Sequence, residues 1–557
     1  MSTDAITLEF KLLPCLLSSA AHCVRLSAPD VVAEEGGEID PEYGQATADI
    51  AQKSGEQSRT MNGQRTHHGL IVRGNTFLLS LAGVLPLLSI VSSQGLPDPA
   101  ALAQMGIEWE TSQHASPNST FYTVPQNFSR DLAPGMLLAV EQATNLSSYL
   151  VPSSLTLSRI MYTTTNLNGT IQPASAYVLW PYAPAPWFAS SSNSSSSPSF
   201  PLVAWAHGTS GLFATCAPSN YKALMYHYFI PFALAKQGIA VVAPDYAGLG
   251  VSKTPDGTHI PHEYSASPAQ ANDLANAVIA ARAAFPSYLP STGPFAVVGH
   301  SQGGGVAWAY AQRQLEDPLP GYRGTVAFAP GVQVVEMITK AWNGGVGPIQ
   351  TDTLLGVQRL ISAGITAVYP SFNFTGVTAV GYDRWSILAK VQGCMPTSGL
   401  AFAGLENRDT VTPDFTNDST TLEFAQRTKV GGKPFKGPLL VLAAEDDVSL
   451  QREVLESIVD ETCEVLEAGN STESLEYALY EGVNHFPLIS ASQAEWMDWL
   501  KERLSGEAGS KKKRDCDASK ARCTKRRVKG FRTDVSVQFP LPNFLVTKAE
   551  AVWQYGL

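Results

Sequence analysis

From residue 201 onward the chain alternates short, continuously apolar runs with helical stretches, and that rhythm limits the fold more tightly than any other feature. The apolar runs are 202–206 (LVAWA), 239–243 (IAVVA), 295–298 (FAVV), 325–329 (TVAFA), 439–443 (LLVLA) and 477–480 (YALY). Strands that are apolar on both faces need helices on both sides of the sheet. The expectation is therefore an α/β protein with a mostly parallel central sheet. The intervening segments 221–237, 268–285, 303–314, 452–459 and 491–504 read as helices. Two earlier strand-like segments, 158–164 and 176–181, precede the serine-rich run 190–199, which reads as a polar loop between strands. Between 332 and 435 the rhythm stops for longer than a connecting loop allows. That stretch carries a helical pattern of its own at 353–365, so it reads as a mainly helical cap inserted over a site. The expected organisation is an extension over 1–60, a leader over 61–94, the α/β domain in two parts over 95–331 and 436–507, the cap between them, and a tail over 508–557.

Gly299-His300-Ser301-Gln302-Gly303 follows the strand FAVV directly and leads into a helix. This is the setting that makes G-x-S-x-G a nucleophile elbow, because a serine on so tight a turn needs small residues two before and two after it. A serine hydroxyl needs a base to take its proton and an acid to orient that base, and on this topology the order is serine, acid, histidine. His485 is the only histidine after Ser301 and follows the last strand. After LLVLA comes Glu445-Asp446-Asp447. Spacing favours Asp446, three residues beyond the strand, with Asp447 as the alternative and Glu445 behind both. The developing oxyanion requires two hydrogen-bond donors. One is the backbone N–H of Gln302. The other is expected from Thr209 in the loop His207-Gly208-Thr209, where Gly208 lets the backbone turn toward the site. His207 is expected to hold that loop, and 244–250 (PDYAGLG) to be structural. No metal spacing or cofactor motif stands out, so neither a metal nor a cofactor is expected.

The formal net charge of -11 speaks against a nucleic-acid partner, which would need a basic surface. The charge is uneven: residues 511–532 hold eleven Lys or Arg. Residues 77–91 (FLLSLAGVLPLLSIV) are uncharged, preceded by Arg65 and Arg73 and followed by small residues. That order reads as a secretory signal peptide starting near Met61, which places residues 1–60 outside the working protein. A signal anchor in a membrane is the alternative. Eight N-x-S/T sequons, at Asn118, Asn127, Asn145, Asn168, Asn193, Asn373, Asn417 and Asn470, all follow that segment and point to a glycosylated, secreted chain. Of the seven cysteines, five lie beyond it, and most of these should pair in an oxidising compartment.

HGTSG (207–211), CAPS (216–219), PDYAGLG (244–250), GHSQGG (299–304) and VNHFP (483–487), in that order, resemble the fungal secretory lipase family of the lipase A type. The likeness spans about 100–505. It implies an exported enzyme of the α/β-hydrolase fold that cleaves carboxylic esters of lipids, triacylglycerols among them, under a cap that covers the acyl site. Carried over by residue, it implies the triad Ser301, Asp446 and His485, a disulfide between Cys216 and Cys394, and a second between Cys463 and a cysteine of the tail. The basic run 511–532 departs from the family and reads as a processing site or an extraneous segment. An ester or lipid substrate, with a lipid–water interface as one setting for it, is the expected partner, and no stable protein partner is implied. A short-chain or feruloyl-type esterase and a serine exopeptidase are the alternatives on the same scaffold. A non-catalytic hydrolase-fold binding protein is the alternative from another class.

Overall fold

The computed structural model describes residues 98–115, 119–189, 199–469, 471–505 and 522–532. The proposed extension, the signal segment and the sequons Asn118, Asn193 and Asn470 lie outside the described residues. So do most of the serine-rich run and residues 511–521 of the basic run.

Ten strands form one sheet in the order β1-β2-β3-β5-β4-β6-β7-β8-β9-β10. They are β1 Leu137–Glu141, β2 Thr156–Thr165, β3 Ile171–Trp180, β4 Leu202–Ala206, β5 Ala240–Pro244, β6 Phe295–His300, β7 Tyr322–Phe328, β8 Leu439–Ala444, β9 Leu475–Tyr480 and β10 Cys523–Val528. The first three pair antiparallel, and β3 also runs antiparallel to β5. Every other pairing is parallel. The five strands β4, β5, β6, β8 and β9 are buried almost throughout. Their apolar side chains therefore feed two cores, one on each face of the sheet. The Ala-rich helix Ser267–Ala284 is small enough to lie close against both β2 and the helix Gln302–Arg313. This is the α/β-hydrolase fold.

Between β7 and β8 the chain forms the helices Val334–Trp342, Pro348–Val368, Ala379–Val391, Met395–Ala401, Asn407–Thr410 and Ser419–Thr428. The insertion is tied to the body at Cys394. Cys216, just after the loop that follows β4, is disulfide-bonded to it. The Met395 N–H donates to the carbonyl of Ser210, 3.0 Å away. From the other side, the buried Glu110 of the helix Pro99–Gln113 accepts the backbone N–H groups of Cys394 and Thr397, each at 2.8 Å. Burial raises the Glu110 pKa against the lowering effect of those bonds.

Two sequence expectations change. Residues 221–237 were expected to be one helix. Only Pro231–Lys236 is α-helical, and Leu224, Met225, Tyr226 and His227 all have positive φ, of 53°, 48°, 58° and 26°. The basic run was expected to be a processing site or an extraneous segment. Its segment Cys523–Val528 instead forms β10, in parallel register on β9, with Cys523 bonded to Cys463 of the helix Arg452–Ala468. Its cations meet acidic neighbours: Lys525 pairs with Asp460, Arg526 with Glu495, and Arg527 with Glu445 and Glu481. The five described sequon asparagines, Asn127, Asn145, Asn168, Asn373 and Asn417, are all exposed. Asn168 is also held by Arg427, whose guanidinium donates to its side-chain oxygen at 2.8 Å. Among the described residues no helix is long and apolar enough to cross a membrane.

Candidate active site

β6 ends at His300, and the next residue, Ser301, has φ 59° and ψ -122° before the helix Gln302–Arg313 begins. A non-glycine residue rarely tolerates that conformation, and here the turn enforces it. The turn closes because Gly299 and Gly303 lack side chains. A Cβ on Gly299 would lie 1.9 Å from the Gly303 carbonyl oxygen, and one on Gly303 would lie 2.0 Å from that of Ala206. Ser301 is thus presented above the sheet at a helix N-terminus. The unpaired N–H groups and the helix dipole favour negative charge at that point.

His485 lies after β9, buried, with Nδ1 2.8 Å from Oδ2 of Asp447. The other Asp447 oxygen accepts the backbone N–H groups of Ser449 and Leu450, at 2.8 and 2.9 Å. The expected acid, Asp446, is not in this arrangement. Its side chain is exposed, and its backbone N–H bonds the Val483 carbonyl at 3.0 Å. The reason is strand length: β8 runs to Ala444 rather than Ala443, so the acid three residues past its end is Asp447. Glu445 faces away and accepts the Gly482 N–H at 3.1 Å.

Ser301, His485, Thr209 and Gln302 line one cavity of about 300 Å³. Its wall is largely aliphatic and aromatic, with Val334, Leu354, Leu360, Met395, Leu450 and Phe486 among the contributors. The Leu354, Leu360 and Met395 side chains come from the helical insertion. Gln302 is the first residue of its helix, so its N–H points into the elbow. Its side-chain amide lies 3.5 Å from Nε2 of His262. Thr209 is held by its Oγ1, 2.9 Å from the Tyr264 hydroxyl. Gly208 lies beside the elbow, where a Cβ would come 3.3 Å from that of Ser301 and 2.1 Å from the Tyr226 hydroxyl oxygen.

The supporting groups are buried. His207 bonds the Gly208 carbonyl through Nδ1 at 2.7 Å and stacks on Tyr246. Burial pulls its pKa down to about 4 and does the same for His262. Asp245 of the PDYAGLG segment accepts the Ser175 and Ser219 hydroxyls, both at 2.6 Å, and the Ser219 N–H at 2.8 Å. Burial outweighs those bonds and pushes its pKa up to about 6. Both segments behave as framework. The residue that sequence reasoning missed is Tyr226, which lines the cavity from the left-handed turn. No local motif announces such a turn, because none of its four residues is glycine.

A nucleophile elbow on a parallel sheet, a buried His–Asp pair and a helical insertion together define a hydrolase-fold protein. The sequence model of the Alpha/beta hydrolase family matches residues 203–498, and the chain belongs to that family. Among solved structures, the chain is similar to lipase A of Candida antarctica in its closed state. The identity is 17%, over 70% of this chain and 87% of that one, with a TM-score of 0.54. The rice cell wall degrading esterase LipA of Xanthomonas oryzae matches at 18% identity over 68% of this chain and 98% of that one, with a TM-score of 0.47. At such identities the likeness is one of fold. No curated protein sequence matches significantly.

Proposed function

We propose that the chain is a secreted serine hydrolase of carboxylic esters, with Ser301 as nucleophile, His485 as general base and Asp447 as the acid that orients it. The observation that carries this reading is the buried His485–Asp447 pair opening on the same apolar cavity as Ser301. Ser301 Oγ attacks the ester carbonyl while His485 Nε2 takes its proton, and Asp447 stabilises the imidazolium through Nδ1–H. The backbone N–H groups of Gln302 and Thr209 receive the oxyanion. Collapse expels the alcohol, which leaves with the proton from His485. Water, deprotonated by the same histidine, then attacks the acyl-serine and releases the acid.

An aliphatic wall suits the hydrocarbon of an acyl chain better than the charged amino terminus that an exopeptidase must seat. This favours lipid esters, triacylglycerols among them, over peptides. The four cysteines joined in two disulfides and the exposed sequons support an extracellular place.

Initial rates on p-nitrophenyl esters from acetate to palmitate, with Ser301→Ala alongside, test the reading. Cleavage of long chains by the wild type and a loss of more than about a thousandfold in the variant are expected. Cleavage confined to acetate and butyrate would replace the lipase by a short-chain esterase. A wild type no faster than Ser301→Ala on every ester would overturn the reading.

A further inference from the structure

Tyr226 sits where three loops meet, and its hydroxyl bonds to one of them and packs beneath another. It lies 2.8 Å from Nδ1 of His300, the residue before the nucleophile. Nε2 of the same ring lies 3.2 Å from the carbonyl oxygen of His485. A carbonyl only accepts, so Nε2 carries the proton and donates. A neutral ring has just one N–H, so Nδ1 is bare and accepts from Tyr226. Burial, with the nearby His485, holds the His300 ring neutral by pushing its pKa far down. The Tyr226 oxygen in turn packs beneath Gly208. The polarity of the bonds therefore runs one way, from Tyr226 O–H to His300 to the His485 carbonyl. Gly208, Tyr226, His300 and His485 are all buried.

These bonds and the packing beneath Gly208 join the three segments that the proposed mechanism uses separately: the Thr209 loop, the elbow and the His485 loop. The fit is close. A Cβ on Gly208 would lie 2.1 Å from the Tyr226 oxygen, so only glycine leaves room for that hydroxyl. The ring is fixed edge-on against Trp205, with centroids 5.1 Å apart, and it tilts against Phe486 at 5.8 Å. It reaches this place only because Leu224 to His227 adopt a left-handed turn. L-residues avoid that conformation, and such strain is retained where surrounding structure enforces it, often at functional sites. A ring needed for packing alone would not require its oxygen to be threaded beneath Gly208.

Resting on the ester-hydrolase reading, we propose that Tyr226 is a positioning residue whose hydroxyl, through Gly208 and His300, holds the oxyanion loop and the general-base loop in register with Ser301. Its contribution falls in the transition state, where Thr209 N–H and His485 must be aligned together, rather than in substrate binding.

The test is Tyr226→Phe, which keeps the ring and its contacts and removes only the oxygen. Wild type, Tyr226→Phe and Ser301→Ala are compared on one ester, with active-site concentration fixed by fluorophosphonate titration and melting followed in parallel. The expected result is a kcat lowered roughly ten- to a hundredfold, the range seen when outer groups that orient a reacting shell are removed. KM should stay within about twofold, and inhibition by a trifluoromethyl ketone, which forms the oxyanion, should weaken in step with kcat. A kcat per titrated site within about twofold of wild type would overturn the inference, as would a loss confined to KM. If the wild type itself does not exceed Ser301→Ala, the ester-hydrolase reading fails first.

Discussion

Asp447 has both carboxylate oxygens engaged, one by His485 and the other by two backbone N–H groups, so its charge is held in one orientation. Asp446, one residue earlier, is exposed. Asp447→Asn should therefore lower kcat about a thousand- to ten-thousandfold by leaving His485 in the wrong tautomer, while Asp446→Asn stays within about twofold. Steady-state rates of the two variants on one ester decide between them. Ser301 and His485 were legible in the sequence because each is marked twice, by its residue type and by the apolar strand before it. The acid was not, because an apolar run ending in two alanines does not show which of them ends the strand. Tyr226 was illegible for a different reason. Residues 221–237 have a helix-compatible composition, and only packing beneath Gly208 turns four of them left-handed. Each such residue costs roughly 1–2 kcal/mol, a penalty that no local pattern reveals.

Among the elements, β10 departs most from what its composition suggests. Five buried strands announce themselves by being apolar, but Thr524 to Arg527 are exposed, so nothing in their hydrophobicity marks a strand. The strand forms because β9 offers a free edge and because Cys463 and Cys523 fasten it there. Its ion pairs are mostly solvent-exposed, and pairs of that kind contribute little individually. The disulfide should dominate. Cys523→Ser is expected to lower stability by roughly 2–4 kcal/mol while kcat at 25 °C changes by less than about twofold, because the bond lies apart from the cavity-lining residues. Denaturant unfolding and an ester assay on the same preparation check both halves. The helical insertion was legible as an interruption, but its fastening through Glu110 was not. That contact joins residues 284 and 287 apart in sequence.

For the molecule as a whole, buried titratable groups set how stability responds to acid. His207 and His262 are held near pKa 4 by burial, and His300 lies well below its ordinary value. As pH falls from about 6.5 to 4, the unfolded chain takes up protons that these folded rings refuse, so stability falls. Asp245 and Asp273, raised by burial to about 6 and about 7, act in the opposite sense. Their folded carboxyls take up protons over a range where the unfolded ones still do not. The net slope is the difference between the two sets. His262→Gln removes one of the descending contributions, so its unfolding free energy should fall less steeply than that of the wild type between pH 6.5 and 4. Denaturant melts at four or five pH values across that window would show it. Equal slopes would mean that His262 titrates alike in both states.

The position of β10 in the chain bears on how the protein comes into being. Every residue assigned a part in the chemistry, from Thr209 to His485, precedes it by at least thirty-eight positions. During synthesis the sheet through β9 and its elbow can therefore assemble before the last strand leaves the ribosome. Because β10 lies parallel to β9, it cannot fold back as a simple hairpin and needs a crossover connection before it docks. Until it arrives, β9 is an open edge able to recruit a strand from a neighbouring nascent chain. The oxidation that joins Cys463 to Cys523 thus works as a deadline: a compartment slow to form it gives a finished active site longer in which to aggregate.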